Sequence, residues 1–378
     1  MLAGIYIHIP FCVHKCIYCD FYSVVNQKII PDFIDALIRE IEIYKDHAQQ
    51  DKIHTIYFGG GTPTILPPIQ IEKILNALRK NFKIASGAEI TIEANPGTVN
   101  LSSLNNYLKM GINRISIGVQ SFIDEELKFL SRIHSSEEAV RAFSDAREAG
   151  FKNISIDLIY GLPDQDKTSW LFTLKKCVDL KPEHISAYNL TIETGTPLGK
   201  MVNLKTVRPL SDKVESLLFL TTMEFLQGSG YHHYEVSNYA LPGYHSRHNM
   251  NYWRHINYLG FGPSAHSFWL NKRWWNVNDI DEYIKLLLNG KKPVSDSEEL
   301  SLKQLLDETI MLNLRTGFLD FNKIKDLNGQ NILEKGAEDF KEFENQNFLK
   351  ITDEGLLLTN KGFLYCDELA KRISFFNQ

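Results

Sequence analysis

Short β-branched runs alternate with longer amphipathic stretches through the first half of this chain, and that rhythm narrows the fold more than any other feature. Gly4 to Ile9, Thr55 to Phe58, Ile90 to Glu93, Arg114 to Ile117, Ile154 to Leu158 and Ile185 to Asn189 read as six strands. Each but the last runs into a helical pattern, such as Ile30 to Tyr44 or Ile69 to Asn81. Regular β-then-α alternation implies parallel strands joined by right-handed crossovers, so the class is α/β. Six units fit either an incomplete TIM-like barrel or an open doubly wound sheet, and periodicity does not separate them. In both, the active site lies at the carboxyl ends of the strands. Those ends carry, in order, Cys12 with Cys16 and Cys19, then Gly59-Gly60-Gly61-Thr62, Glu93-Ala94-Asn95-Pro96, Gln120-Ser121, Asp157, and Tyr188-Asn189. Six consecutive polar strand ends predict one shared cavity, better enclosed by a curved sheet than by a flat one.

The rhythm changes near residue 200, dividing the chain into three segments: 1-200, a His- and aromatic-rich connecting region at 201-290, and 291-378. Residues 231–275 are rich in His, Tyr, Trp, Asn and Gly and only weakly periodic. A linker at Gly290-Lys291-Lys292-Pro293 opens the last segment. There the spacing predicts a helix near Leu302 to Leu314, two further helical stretches, a hairpin (Leu349 to Ile351, turn at Asp353-Glu354-Gly355, Leu356 to Leu358) and a helix capped by Thr359. The pattern is mostly helical and winged-helix-like. Its acidic residues outnumber its basic ones, and with a net charge of -5 and a pI near 6.2 nucleic acid is not an expected partner. A role in covering a cavity or supporting a partner surface fits better.

The opening residues lack the basic and apolar regions of a secretory signal, and no apolar run approaches the roughly 20 residues that span a bilayer. A cytoplasmic location is expected, where thiols stay reduced. Cys12, Cys16 and Cys19 crowd into eight residues, while Cys177 and Cys366 stand alone in amphipathic runs and read as small buried hydrophobes. Three thiolates on one tight loop suit an iron-sulfur cluster whose cubane form normally takes four cysteines, so that one iron is left open. Zinc is the competing reading, with His14 or His8 completing a Cys3His set, although zinc motifs usually come as two well-separated pairs.

Cys12-x-x-x-Cys16-x-x-Cys19, with Tyr18 before the last cysteine, resembles the signature of radical S-adenosylmethionine (SAM) enzymes. The resemblance implies a [4Fe-4S] cluster on these cysteines, SAM chelating the open iron through its amino and carboxylate groups, and cleavage of SAM to a 5′-deoxyadenosyl radical. The strand ends offer matching chemistry. The glycine run has no Cβ to hold backbone away from a ligand, and its carbonyls can accept from an ammonium. Glu93 and Asp157 suit ribose hydroxyls, Gln120 donates and accepts, and Arg132 suits a bidentate grip on a carboxylate.

Over nearly its whole length the chain is similar to the branch holding the oxygen-independent coproporphyrinogen III oxidases and the HemW haem chaperones. The matching segments are Ile7-His-Ile-Pro-Phe-Cys12, Phe58-Gly-Gly-Gly-Thr-Pro63, Glu93-Ala-Asn-Pro96, Ile117-Gly-Val-Gln-Ser-Phe122, Asp157-Leu-Ile-Tyr-Gly-Leu-Pro163 and His248-Asn-Met-Asn-Tyr-Trp253. On this resemblance Tyr6, Gly60, Gly61, Thr62, Glu93, Gln120, Arg132 and Asp157 fall on SAM-contact positions and Tyr18 on the aromatic beside the adenine. The implied fold is a partial (βα)6 TIM-like radical SAM barrel with a C-terminal mostly helical, winged-helix-like domain.

Two departures separate the branches. The oxidases carry a further cysteine two residues beyond the third, where this chain has Phe21, and they have an N-terminal extension before the first strand, which here starts almost at once. Both departures are those of the HemW type. The resemblance at His248-Asn249-x-x-Tyr252-Trp253 then makes His248 the expected haem ligand, since imidazole is a good axial ligand and aromatics lie well against a porphyrin. His232, His233, His255 and His266 read as ordinary partly buried histidines, and His245 lies within reach of the same site. The resemblance thus implies a haem chaperone with three cofactors, a [4Fe-4S] cluster, S-adenosyl-L-methionine and haem. Expected partners are acceptor haemoproteins and a flavodoxin- or ferredoxin-like electron donor, with peripheral membrane contact and a homodimer both compatible. The alternatives are a coproporphyrinogen III dehydrogenase, an oxidative decarboxylase, and a zinc-bound interaction module.

Overall fold

A computed structural model describes residues 2–48, 50–328 and 336–375. The six expected strands are all present and run one to three residues longer at most ends: β1 (Leu2–Ile9), β2 (Lys52–Gly60), β3 (Ile84–Ala94), β4 (Arg114–Gln120), β5 (Ile154–Tyr160) and β6 (His184–Asn189). They pair in parallel and in chain order, with no reversal. Right-handed crossovers in a monotonic order put every connecting helix on one face, so the other face is covered only by the sheet curling on itself. That order resolves the choice left open by periodicity in favour of the partial barrel. No helix among the described residues is long and apolar enough to cross a membrane.

The connecting helices are α1 (Ile30–Ile43), α2 (Pro68–Asn81), α3 (Leu101–Lys109), α4 (Asp124–Phe129), α5 (Ser136–Ala149) and α6 (Lys167–Asp179). Their start signals lie in the sequence: Pro31 and Pro68 open α1 and α2, and capping boxes at Asn100, Ser135 and Asp166 open α3, α5 and α6. Gly150, at φ 110°, ends α5 in the left-handed region. Their apolar faces pack on the outward residues of the strands, such as Ile5, Ile7 and Ile9 of β1, all fully buried. Cys177 of α6 is buried in this layer.

The inward residues are polar, in contrast to the branched aliphatic layers that usually fill a TIM barrel. Tyr6 stacks on Tyr57, Tyr57 donates to Glu93, Ser116 to Asp157, and Ser155 bonds His184. Arg114 is 1% exposed in the same lumen.

After β6 come α7 (Pro197–Asn203) and α8 (Asp212–Gly228), then a stretch whose weak periodicity conceals real strands. β7 (His232–Glu235) and β8 (Asn238–Ala240) extend the sheet beyond β6. After α9 (Arg247–Trp253), β9 (Tyr258–Phe261), β10 (His266–Trp269) and β11 (Lys272–Asn276) extend it beyond β1. Beyond α10 (Ile280–Leu288), β12 (Val294–Glu299) pairs with β11, although it follows the glycine-lysine-proline stretch read as a linker. Twelve strands thus form one sheet in the order β12-β11-β10-β9-β1-β2-β3-β4-β5-β6-β8-β7. Glu40 of α1 ties the added wing to the barrel: fully buried, it accepts from Gly262 N at 2.8 Å, Asn276 Nδ2 at 2.6 Å and the Tyr283 hydroxyl at 2.5 Å.

The last segment contains α11 (Leu302–Arg315), β13 (Phe318–Asp320), α12 (Phe321–Asn328), α13 (Ala337–Asn345), β14 (Leu349–Ile351), β15 (Gly355–Leu358), α14 (Asn360–Leu364) and α15 (Cys366–Phe375). The expected hairpin is β14 and β15, joined by β13 into a three-stranded sheet, and Thr359 caps α14 by accepting from Gly362 N at 3.0 Å. Cys366 is buried at the start of α15.

Candidate cluster and cofactor site

At the carboxyl rim of β1 to β6 lies a cavity of about 600 Å³. Cys12, Cys16 and Cys19 line it, together with Tyr18, Gly60, Gly61, Thr62, Glu93, Gln120, Arg132 and Asp157. Tyr6 does not: it lies a layer below the rim, stacked at 6.3 Å on Tyr57, with its hydroxyl 3.1 Å from His8 Nδ1.

The cysteine loop is fixed at its base by local pairing. Phe11 is buried edge-on against Phe33 at 5.2 Å, Cys12 N donates to Val24 O at 3.0 Å, and Val24 N donates to Pro10 O at 2.6 Å. The rim of β2 then clamps the loop, through Gly61 N to Ile9 O and Thr62 N to Phe11 O, both at 2.8 Å. The glycine run thus has a task within the protein besides lining the cavity. A Cβ on Gly61 would sit 2.6 Å from Phe11 O, and one on Gly60, at φ +102°, 2.6 Å from the His8 ring. The glycines let two stretches of protein backbone meet, which seats the cysteine loop.

Around the thiols the polar groups are interlocked. Thr62 Oγ1 donates to Cys12 Sγ at 3.8 Å and accepts from Asn95 Nδ2 at 2.8 Å. Arg132 reaches Cys16 Sγ through Nη1 at 3.5 Å and donates through Nη2 to Gly118 O at 2.8 Å and to Asn95 Oδ1. Burial pushes the Cys12 and Cys19 thiols above their ordinary value. Burial likewise raises Glu93 to about 7, against a 2.7 Å hydrogen bond from Tyr57 that favours the carboxylate. Asp157 is also raised by burial, and it accepts from Ser116 at 3.0 and 2.9 Å and from Ser155 at 3.3 Å. A carboxylate has roughly four lone-pair sites, so Glu93 keeps room for a ligand hydroxyl, whereas Ser116, Ser155 and Ser186 already occupy most of those on Asp157.

Two orphaned atoms face this network. Gln120, on an irregularity at the end of β4 and at φ 70°, has a buried Oε1 with no partner, and Arg132 Nε is buried and equally unpartnered. A buried acceptor and a buried donor left free beside three thiols are what a ligand bearing both kinds of group requires. The donor set fits a cluster with SAM beside it. His8, one candidate to complete a zinc set, has Nε2 2.9 Å from Tyr22 O and Nδ1 engaged by Tyr6. Among the described residues no three His, Cys, Asp or Glu side chains close on a single ion.

Three contributors act in ways the sequence did not assign, Asn95 having been read only as one of the polar strand ends. Asn95 bridges Thr62 and Arg132, and Ser116 and Tyr57 hold the two carboxylates. Their signal is strand alternation, since Ser116 shares the inward face with Arg114 and Gly118.

His248 lies apart from this cavity. It is 1% exposed on α9, remote from the cavity lining, with Nδ1 2.9 Å from Thr55 Oγ1 and Nε2 2.9 Å from the Tyr252 hydroxyl. Burial lowers it to about 3, so the ring is neutral and its one donor and one acceptor are both engaged. Its motif neighbours do the same work: Asn251 bonds His54 and Thr55, and Glu89 accepts from the His248 and Arg247 amides at the start of α9. In this structure the motif packs against the start of β1 and β2, with both ring nitrogens of His248 hydrogen-bonded within the protein.

Comparison with known proteins gives these observations a family. Residues 6–177 match the radical SAM superfamily model and residues 300–365 the HemN C-terminal domain. The heme chaperone HemW of Escherichia coli (strain K12) is 42% identical over 265 residues, 70% of this chain and 69% of that one. HemW of Bacillus subtilis (strain 168) is 31% identical over 372 residues, covering 97% and 98%. A solved structure of the Escherichia coli coproporphyrinogen III oxidase HemN, a radical SAM enzyme, matches 99% of this chain and 89% of its own with a TM-score of 0.83 at 26% identity. With the HemW likeness sustained from end to end, the chain belongs to the heme chaperone HemW family within the radical SAM superfamily.

Proposed function

We propose that this chain is a haem chaperone of the cytoplasm, holding a [4Fe-4S] cluster on Cys12, Cys16 and Cys19 with SAM beside it, binding haem and delivering it to acceptor haemoproteins. The observation that carries the reading is the convergence of three thiols, a free buried acceptor on Gln120 and a free buried donor on Arg132 in one cavity. When bound, the cluster supplies a one-electron redox centre with one iron not ligated by protein. The residues around it have separate tasks. Arg132 sets a positive charge against Cys16 and suits a carboxylate, while Glu93 and Asp157, oriented by Tyr57 and Ser116, suit ribose hydroxyls. Tyr18 supplies an aromatic wall for a purine. Val13 and Phe21, 53% and 68% exposed, flank the cluster loop with an apolar edge on which a flavodoxin- or ferredoxin-like donor can dock.

The HemN match makes porphyrinogen decarboxylation the second reading. Phe21, where the oxidases place a cysteine, weighs against it. The test is anaerobic reconstitution followed by two assays on the same preparation. We expect bound iron and sulfide, haemin binding with transfer to an apo-haemoprotein, and no protoporphyrinogen from coproporphyrinogen III, SAM and reductant. Turnover of coproporphyrinogen without haem transfer overturns the chaperone reading, and zinc in place of iron and sulfide overturns the cluster.

A further inference from the structure

Asn95 stands just past the carboxyl end of β3, on the wall of the cysteine cavity, and its neighbours hold it there. Pro96 follows it and restricts it to extended backbone, at φ -96° and ψ 142°. Its carbonyl accepts from the Thr98 amide at 2.9 Å and from the Thr98 hydroxyl at 2.8 Å, and that hydroxyl lies 2.6 Å from the hydroxyl of Thr64. Gly118 leaves open the room beside it, since a Cβ there would sit 3.1 Å from Asn95 Oδ1.

The side-chain amide has only one workable orientation. A guanidinium donates and never accepts, so Oδ1 faces Arg132 Nη2 and Nδ2 is turned to Thr62 Oγ1 at 2.8 Å. The Thr62 hydroxyl, already accepting, has its single hydrogen left for Cys12 Sγ, 3.8 Å away. On the other side Asn95 Oδ1 and Gly118 O take both hydrogens of Nη2, and Nη1 is turned to Cys16 Sγ at 3.5 Å. One amide thus sets the donors to two of the three sulfurs, through partners on the loops after β2 and after α4.

We propose, resting on the cluster reading above, that Asn95 is a positioning residue that raises the reduction potential of the cluster by aiming the Thr62 hydroxyl at Cys12 and the Arg132 guanidinium at Cys16. An added electron makes the cluster and its thiolates more negative, so donors aimed at the sulfurs stabilise the reduced state more than the oxidised one. Asn95→Ala leaves Arg132 Nη2 tied to Gly118 alone and the Thr62 hydroxyl free to rotate away from Cys12.

The test is a mediated redox titration of the full-length, cluster-loaded protein without SAM, with the reduced cluster followed by EPR and iron and sulfide counted on each sample. Asn95→Ala should lower the midpoint by about 60 mV, a tenfold loss in a one-electron equilibrium. Asn95→Asp keeps the size and the Arg132 contact, while its carboxylate draws the Thr62 hydrogen off Cys12, so its midpoint should fall as well. Thr62→Val removes only the Cys12 arm. Combined with Asn95→Ala it should shift the midpoint by less than the two single shifts summed, because part of the Asn95 effect runs through Thr62. A wild type that holds no iron and sulfide overturns the cluster reading and this role with it. Loaded variants that keep the wild-type midpoint refute the role of Asn95 alone. Variants that lose iron, wholly or with an unchanged midpoint in the loaded fraction, refute it too, since Asn95 is then only a seat for the loop. Strictly additive shifts of Asn95→Ala and Thr62→Val overturn the relay through Thr62.

Discussion

Replacing His248 by alanine separates a buried structural imidazole from an iron ligand, because the two roles predict opposite pairs of outcomes. The Thr55 hydroxyl loses a 2.9 Å hydrogen bond but keeps its 2.8 Å bond from Asn251, a loss of about 1 kcal/mol. The Tyr252 hydroxyl loses its partner in buried surroundings, about 1–3 kcal/mol. The vacated volume, against which Tyr57 is stacked at 5.1 Å, adds about 2 kcal/mol of lost packing. The total is near 5 kcal/mol, and at roughly 2 °C per kcal/mol for a chain of this size the melting temperature should fall by about 10 °C. Thermal denaturation by circular dichroism measures this. Haemin titration of the same preparation at low temperature should leave the Soret response and affinity of the folded fraction unchanged. A variant as stable as wild type that has lost haem affinity would refute the placement of His248 and return it to the iron.

Three further perturbations address the site and its frame. Arg132→Met removes the groups that bond Cys16 and Gly118, and with about 1.5–3 kcal/mol for a charged hydrogen bond SAM affinity should fall roughly 10- to 100-fold while iron content holds. Equilibrium dialysis of SAM checks this, and unchanged binding would remove Arg132 from the cofactor. Gly61→Ala drives a methyl into Phe11 O and should lower both iron retention and melting temperature, whereas Gly97→Ala, with nothing within 4 Å, should be silent. Equal behaviour of the two would show that the backbone clamp does not seat the loop. Glu40 is held at about 7 when folded, above the ordinary carboxylate value of 4.5. Its ionisation therefore opposes folding: stability is greatest below about 4.5 and falls as pH rises towards 7, by an amount on the order of 3 kcal/mol. Glu40→Gln removes that dependence, so urea midpoints should shift in its favour between pH 5 and 7.5, and parallel curves for the two proteins would contradict the assignment.

The barrel was legible in sequence because its strands are β-branched and its helices carry their own caps, so local chemistry and tertiary role coincide at Ser135, Asp166 and Gly150. The wings were not legible. β7 to β12 are mostly three to five residues long, and the His and aromatic side chains along them pack on both faces of the sheet, which blurs the two-residue period. The cysteines were read from spacing alone, and the strand ends from their order. The bridging role of Asn95 is hidden because its partners, Thr62 and Arg132, come from elements far apart in the chain. His248 carries two readings for a local reason: its partner Tyr252 is four residues on, so both fall on one face of the short helix α9, and an intrahelical pair has the same spacing as a ligand motif.

The polar lumen has a consequence for folding as well as for the cavity above it. An aliphatic barrel interior tolerates a strand that slips by one residue, because both faces are then apolar. Here a slip of β4 would turn Arg114 and Ser116 into the helical layer and bring Ile115 and Ile117 among Asp157, Tyr57 and Glu93. A guanidinium stranded among aliphatic side chains is costly enough to reject that pairing outright. Arg114 and the groups around it thus act as a key for register, and the chain reads its own strand alignment in charge before any cofactor arrives.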